Sequence, residues 1–298
     1  MLHHRDPNYT NQLPDELLDI IIRQSGPLYS TAAADHGFPD KKNWLACGSV
    51  CRRWRRVALS HIFRYVRVLP SDRFADTSED RAASKFGSFL LENPSIAPLI
   101  EQANLACVII ESKVLRSILT ALTNLQYLVL HHSFIEGSLD LQEPPLACKV
   151  SKLLYIRGAC ELYSYPASAC KQQIPLLLRL FSEIGEFEDL HGCDHVVDEP
   201  LAGCEAPRIY SCSIGVPPHT LARYSALYRL HVFDHLSCLR LSVALPLEIT
   251  EVSVNDFLQI VGGSLHELSL KFDYLTSRPV DQDSTSAQRM WFNHLSST

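Results

Sequence analysis

Cys193-Asp194-His195 sets a thiol, a carboxylate and an imidazole side by side, the residue types a thiol-dependent hydrolase uses as nucleophile and base. No local signature of a known hydrolase surrounds the tripeptide, and thirteen His with ten Cys would place some thiol near some imidazole in any fold. Metal chemistry finds less support. The cysteines stand at 47, 51, 107, 148, 160, 170, 193, 204, 212 and 238, with no Cys-x-x-Cys pair. Cys47 and Cys51 lie one helical turn apart without a further ligand at a completing spacing. His131-His132 reads as a surface pair at a strand end, and Gly262-Gly263 as a turn before a strand. A Gly-rich phosphate loop, Gly-x-Ser-x-Gly and His-Glu-x-x-His are all missing. The expectation is a chain without catalytic residues, metal ligands or cofactor.

Charge narrows the partners. The net charge is −6 over 298 residues, but residues 13–69 carry +4 and residues 70–298 carry −10. An acidic body is a poor match for nucleic acid, which requires a basic stripe to replace its counterions. No run approaches the ~20 apolar residues that span a bilayer, and the first residues lack the apolar core of a signal peptide. A cytoplasmic or nuclear location is expected, where free Cys behaves as a small buried hydrophobe.

Two helical segments stand out among the elements that would position any site. Leu13-Pro14 opens the first, with Asp15 and Glu16 at the positive end of the helix dipole, and Leu17, Leu18, Ile21 and Ile22 as one apolar face. Gly26-Pro27 ends it, and residues 25–43 read as a long loop. The second segment starts near Asn43 or Trp44, with Leu45, Val50, Cys51, Trp54, Val57, Ala58, Ile62 and Phe63 at three- and four-residue spacing. Arg52, Arg53, Arg55 and Arg56 fall between them; they could serve nuclear targeting, but the spacing reads as a solvated face beside a buried Trp54. So small a helical module cannot bury its apolar groups alone.

Leu13-Pro14-Asp15-Glu16-Leu17-Leu18 followed by Val50-Cys51-Arg52-Arg53-Trp54-Arg55 resembles an F-box domain. The continuation through Val57-Ala58 to Ile62-Phe63-Arg64, with 25–43 as an insertion, is similar to F-box proteins of fungal type. The resemblance implies that Leu13, Pro14, Leu17, Leu18, Ile21, Ile22, Leu45, Val50, Cys51, Trp54 and Ala58 bind a Skp-type adaptor, and through it a cullin–RING ubiquitin ligase.

Past this module, Tyr65 to Leu69 alternates like a strand, and residues 71–85 read as a linker into a helix that Asn93-Pro94 ends. A unit of an apolar residue with others at +3 and +5 then recurs: Ile100/Ala103/Leu105, Leu125/Leu128/Leu130, Leu227/Leu230/Val232, Ile249/Val252/Val254 and Leu265/Leu268/Leu270, with weaker copies at Leu154/Ile156, Phe187/Leu190 and Ile209. Most steps fall near the 20–29 residue period of leucine-rich repeats. Stacked strands would bury the leucines and turn alternate residues onto a concave face: Tyr127, Val129, His131, Tyr155, Arg157, Arg208, Tyr210, Arg229, His231, Glu267, Ser269 and Lys271. Tyr and Arg there suit recognition of a protein target. Met290, Trp291, Phe292 and Leu295 could form a short helix over the last strand.

The expected organisation is a leader (1–12), a helical F-box module (13–69), a linker and helix (70–94), an irregular leucine-rich-repeat solenoid with parallel strands on the concave face and helices outside (95–277), and a tail (278–298). The fold class is therefore mixed, α+β or α/β. The expected function is a non-catalytic substrate-recognition adaptor of a Skp–cullin–F-box ligase with an unidentified target protein. The alternative is an interaction scaffold that carries an F-box without ligation.

Overall fold

The computed structural model describes residues 13–26, 41–69, 82–106, 109–131, 133–136, 146, 148–156, 173–190, 207–216, 233–245, 258–259 and 261–274. They fall into two compact units that divide between Arg64 and Tyr65. The chain is mixed α/β, with a mostly parallel sheet and few helices.

The first unit is helical: α1 (Asp15–Ser25), α2 (Lys42–Val50) and α3 (Arg52–Arg64). Pro14 sits at the N-cap of α1 with φ −54° and ψ 150°, extended geometry that the ring permits. The second segment is not one helix. Cys51 is extended, with φ −159° and ψ 173°, and breaks it into α2 and α3, which pack on each other. The core requires the break. Leu18, Ile22, Trp44 and Ala58 form one buried cluster. A straight helix would hold Trp44 and Ala58 about 20 Å apart at its rise of 1.5 Å per residue.

Trp44 anchors that cluster. Its side chain is fully buried, and its Nε1 donates to Ile22 O at 3.0 Å. A Cβ on Gly26 would lie 2.3 Å from the indole, so the chain can leave α1 here only as glycine. Asn43 Nδ2 donates to Ser25 O at 2.7 Å and Lys41 Nζ to Ile62 O at 2.6 Å, tying α2's start to the ends of α1 and α3. Burial pushes the Lys41 pKa down.

The second unit is built on an eight-stranded sheet in the order β1 (Tyr65–Val68), β2 (Gln102–Ala106), β4 (Tyr127–His131), β6 (Lys149–Ile156), β7 (Glu183–Leu190), β8 (Arg208–Val216), β9 (Cys238–Leu245) and β10 (Glu267–Tyr274). Every pairing is parallel. A second, two-stranded parallel sheet joins β3 (Ile109–Glu111) and β5 (Phe134–Glu136). Helices α4 (Ala82–Glu92) and α5 (Ser112–Ala121) pack together; α4 also packs against β1 and β3, and α5 against β3. The short α6 (Gln173–Leu178) lies against β5. Tyr65 to Val68, grouped on sequence with the helical module, is the sheet's first strand, because its backbone groups pair with β2.

Two inward rows cross the sheet. One runs Val66, Ala103, Leu128, Leu153, Phe187, Cys212, Leu239, Leu268; the other runs Val68, Leu105, Leu130, Tyr155, Asp189, Ile214, Leu241, Leu270. The +3/+5 unit thus holds in spacing at Ile100, Leu125 and Leu265, but Leu268 and Leu270 of the last are exposed and not buried as expected. It also starts at Val150, Ile184, Ile209 and Leu236. In β6 the inward pair is Leu153 and Tyr155, not Leu154 and Ile156. The side-chain period of two means that a one-residue slip exchanges the faces, so Tyr155 is buried instead of exposed. At the +3 step, β6 and β7 leave Ser151 and Gly185 out of the register, and a Cβ on Gly185 would meet Ser151 O at 2.5 Å. The units expected at Leu227 and Ile249, the segment Met290 to Leu295 and most of the 25–43 loop lie outside the described residues.

Backbone bonds carry the pairing ahead of the strands: Gln126 N to Glu101 O (2.8 Å), Lys152 N to Gln126 O (3.0 Å), Ser182 N to Cys148 O (2.9 Å), Arg208 N to Ser182 O (3.1 Å) and Ser237 N to Tyr210 O (2.9 Å). These bonds extend the parallel pairing to the N-terminal edge of neighbouring strands. Because Tyr155 is part of the inward row, Tyr155→Ala should lower unfolding stability by about 3–5 kcal/mol, the cost of emptying an aromatic core site. Denaturant titration measures this, and a loss under about 1 kcal/mol, the usual limit for surface changes, would place the ring on the open face.

Candidate functional site

The helical unit divides its apolar residues between two faces. Leu18 and Ile22 point into the core, one turn apart. Leu17, Ile20 and Ile21 lie outside, 47%, 47% and 41% exposed, with Leu45 and Val50 of α2 at 57% and 58%. The four-residue face read from the sequence is therefore two faces, since neighbouring positions on a helix diverge by about 100°. Among the residues expected to bind a partner, Pro14, Leu17, Ile21, Leu45 and Val50 are exposed, while Leu13, Cys51 and Trp54 are half-buried. Leu18, Ile22 and Ala58 are core. Ile20, absent from the expected set, is exposed as well, three residues on from Leu17 and on the same side of α1. Leu17, Ile20 and Ile21 thus share one exposed side of that helix.

Charges lock the exposed face in place. Asp15 receives Arg53 Nε at 2.6 Å and Arg56 at 2.5 Å, one oxygen each. Asp19 Oδ1 lies 2.8 Å from Nε2 of buried His61, whose ring tilts over Trp44 at 5.8 Å. Arg55 donates to Gly48 O at 3.2 Å. The arginine cluster is thus largely committed within the unit, which leaves little of a basic patch. The hydrogen bond from Arg53, with the charges of Arg53 and Arg56, holds the Asp15 carboxyl below its usual range against the opposing effect of desolvation.

The outward rows of the sheet form a second candidate surface. Tyr127, Lys152, Glu186 and Ser211 stand side by side, and so do Val129, Leu154, Glu188, Ser213, Arg240 and Ser269. Lys152 Nζ bonds Glu188 at 2.7 Å, reaches Glu186 at 3.5 Å and lies 5.9 Å over the Tyr127 ring. Arg240 approaches Glu186 at 3.3 Å. Burial works against the Lys152 ammonium, yet its bond to Glu188 holds the pKa above the ordinary lysine value. Burial likewise raises the Tyr127 phenol. Sequence reading missed Lys152, Glu186, Glu188 and Arg240. Counting Tyr155 as the +5 member after Val150 and Leu153 would have turned Lys152 outward.

Other expected positions separate. His131 is half-buried and Val129 buried among its neighbours, while Arg208, Tyr210, Glu267, Ser269 and Lys271 are exposed. Tyr210 lies 6.4 Å from the His235 ring. Arg157, Arg229 and His231 are outside the described residues, as are Cys193, Asp194 and His195. Among the described residues no three of His, Cys, Asp and Glu gather as metal ligands, and no helix is long and apolar enough to cross a membrane. Burial raises the Cys148 thiol to about 11 and lifts Cys212 well above its ordinary value. Both are weak nucleophiles at neutral pH.

No family model matches the chain, and no curated protein is similar to it in sequence.

The Asp15 pairing sets an acid sensitivity. Because its folded pKa lies below the ordinary 3.8, its stabilising effect is complete above that value and fades as pH falls through the lowered folded pKa. Asp15→Asn should therefore lose stability near neutral pH but show a smaller further loss below about pH 4, the unfolded-chain value. Helical circular dichroism during acid titration of both forms measures this; identical acid-induced losses would remove the pair from the account.

Proposed function

We propose that this chain is a non-catalytic adaptor: its helical unit is an F-box that holds a Skp-type protein of a cullin–RING ubiquitin ligase, and its sheet unit is a leucine-rich-repeat-like solenoid that holds a protein target. One observation carries the reading. Leu17, Ile20, Ile21, Leu45 and Val50 stand exposed on α1 and α2, while Leu18, Ile22, Trp44 and Ala58 secure those helices from behind. An apolar surface presented by a self-supporting core suits a helical partner. The F-box half-motifs fall on the same two helices and on α3.

The +3/+5 unit in parallel strands, with apolar residues to one side, supports the repeat reading. The outward Tyr127, Lys152, Glu186, Glu188 and Arg240 are the residues with which such a surface would meet a target, and Tyr and Arg are the types that dominate protein interfaces. The chain would contribute no covalent step. Holding the target near a charged ubiquitin-conjugating enzyme raises the local concentration of a target lysine. A scaffold without ligation would use the same two surfaces, and the two readings part on whether the adaptor-bound chain recruits a cullin.

Co-purification with a Skp-type adaptor tests the helical surface. Leu17→Asp/Ile21→Asp should abolish capture with unchanged circular dichroism, and Leu13→Ala/Pro14→Ala should weaken it. Leu18→Ala should act differently, costing about 2–5 kcal/mol of stability. If the Leu17/Ile21 double variant still binds like the wild type, the surface assignment fails. On the sheet, Lys152→Glu with Arg240→Glu should release targets but retain the adaptor in affinity purification; loss of the adaptor instead would contradict the division of labour.

A further inference from the structure

We draw no further inference here: the strongest candidate, the cleft where β2, β4, β6 and β7 begin, lined by Glu101, Gln126, Lys149, Ser151 and Glu183, carries nothing because Lys149 and Glu183 bind each other at 2.7 Å and nothing in the structure shows what would fill it.

Discussion

The sheet unit depends on one constraint: no strand in it can bury its own apolar side chains. Leu128 and Leu130 are fully buried because Ala103 and Leu105 lie on one side and Leu153 and Tyr155 on the other. The same holds along both inward rows to Leu239 and Leu241. Cooperation between neighbours is therefore built in, and each strand gains from the next one's placement. The rows tolerate substitution in kind more than in register. Tyr155, Asp189 and Cys212 occupy positions that other strands give to leucine or isoleucine, while the spacing around them is kept. The end of the sheet differs: β10 has β9 as its one partner strand among the described residues, and Leu268 and Leu270 are exposed.

The helical unit solves a different problem. It has few residues for a core, and it spends them on Leu18, Ile22, Trp44 and Ala58. Trp44 reaches across to the end of α1, where Ile22 O accepts its proton and Gly26 leaves room for its ring. Asp15 and Asp19 then bind α1 to α3 through Arg53, Arg56 and His61. With that much holding α1 from one side, Leu17, Ile20 and Ile21 are left outside. They lie on the side of α1 that does not carry Leu18 and Ile22, and they give that helix an exposed apolar side.

Much of this arrangement was legible in the residues. The +3/+5 spacing marked the strands at Ile100, Leu125 and Leu265, and the runs after Leu13 and Asn43 marked the helices. Misreadings came where a residue's type hid its position. The aliphatic Leu154 and Ile156 beside Tyr155 mark it as outward by alternation; its row partners Leu130 and Asp189 decide otherwise. Cys51 gave no sign of a break, since neither glycine nor proline marks it. Lys152, Glu186 and Arg240 come from three different strands and meet only through the pairing of the sheet.

The sequence by itself marked α1, the run that becomes α2 and α3, and the strands after Ile100, Leu125 and Leu265, because those patterns depend on neighbours a few residues apart. Only the tertiary structure decided which of two adjacent apolar residues faces the core, as with Leu17 against Leu18, and which of the two inward rows or their opposite face a strand residue joins, as with Tyr155 and Leu154, both of them buried. Facing is settled by what lies across from a residue. In this chain the opposing group is 22 residues or more away: Ala58 and Trp44 for α1, a neighbouring strand for each strand of the sheet.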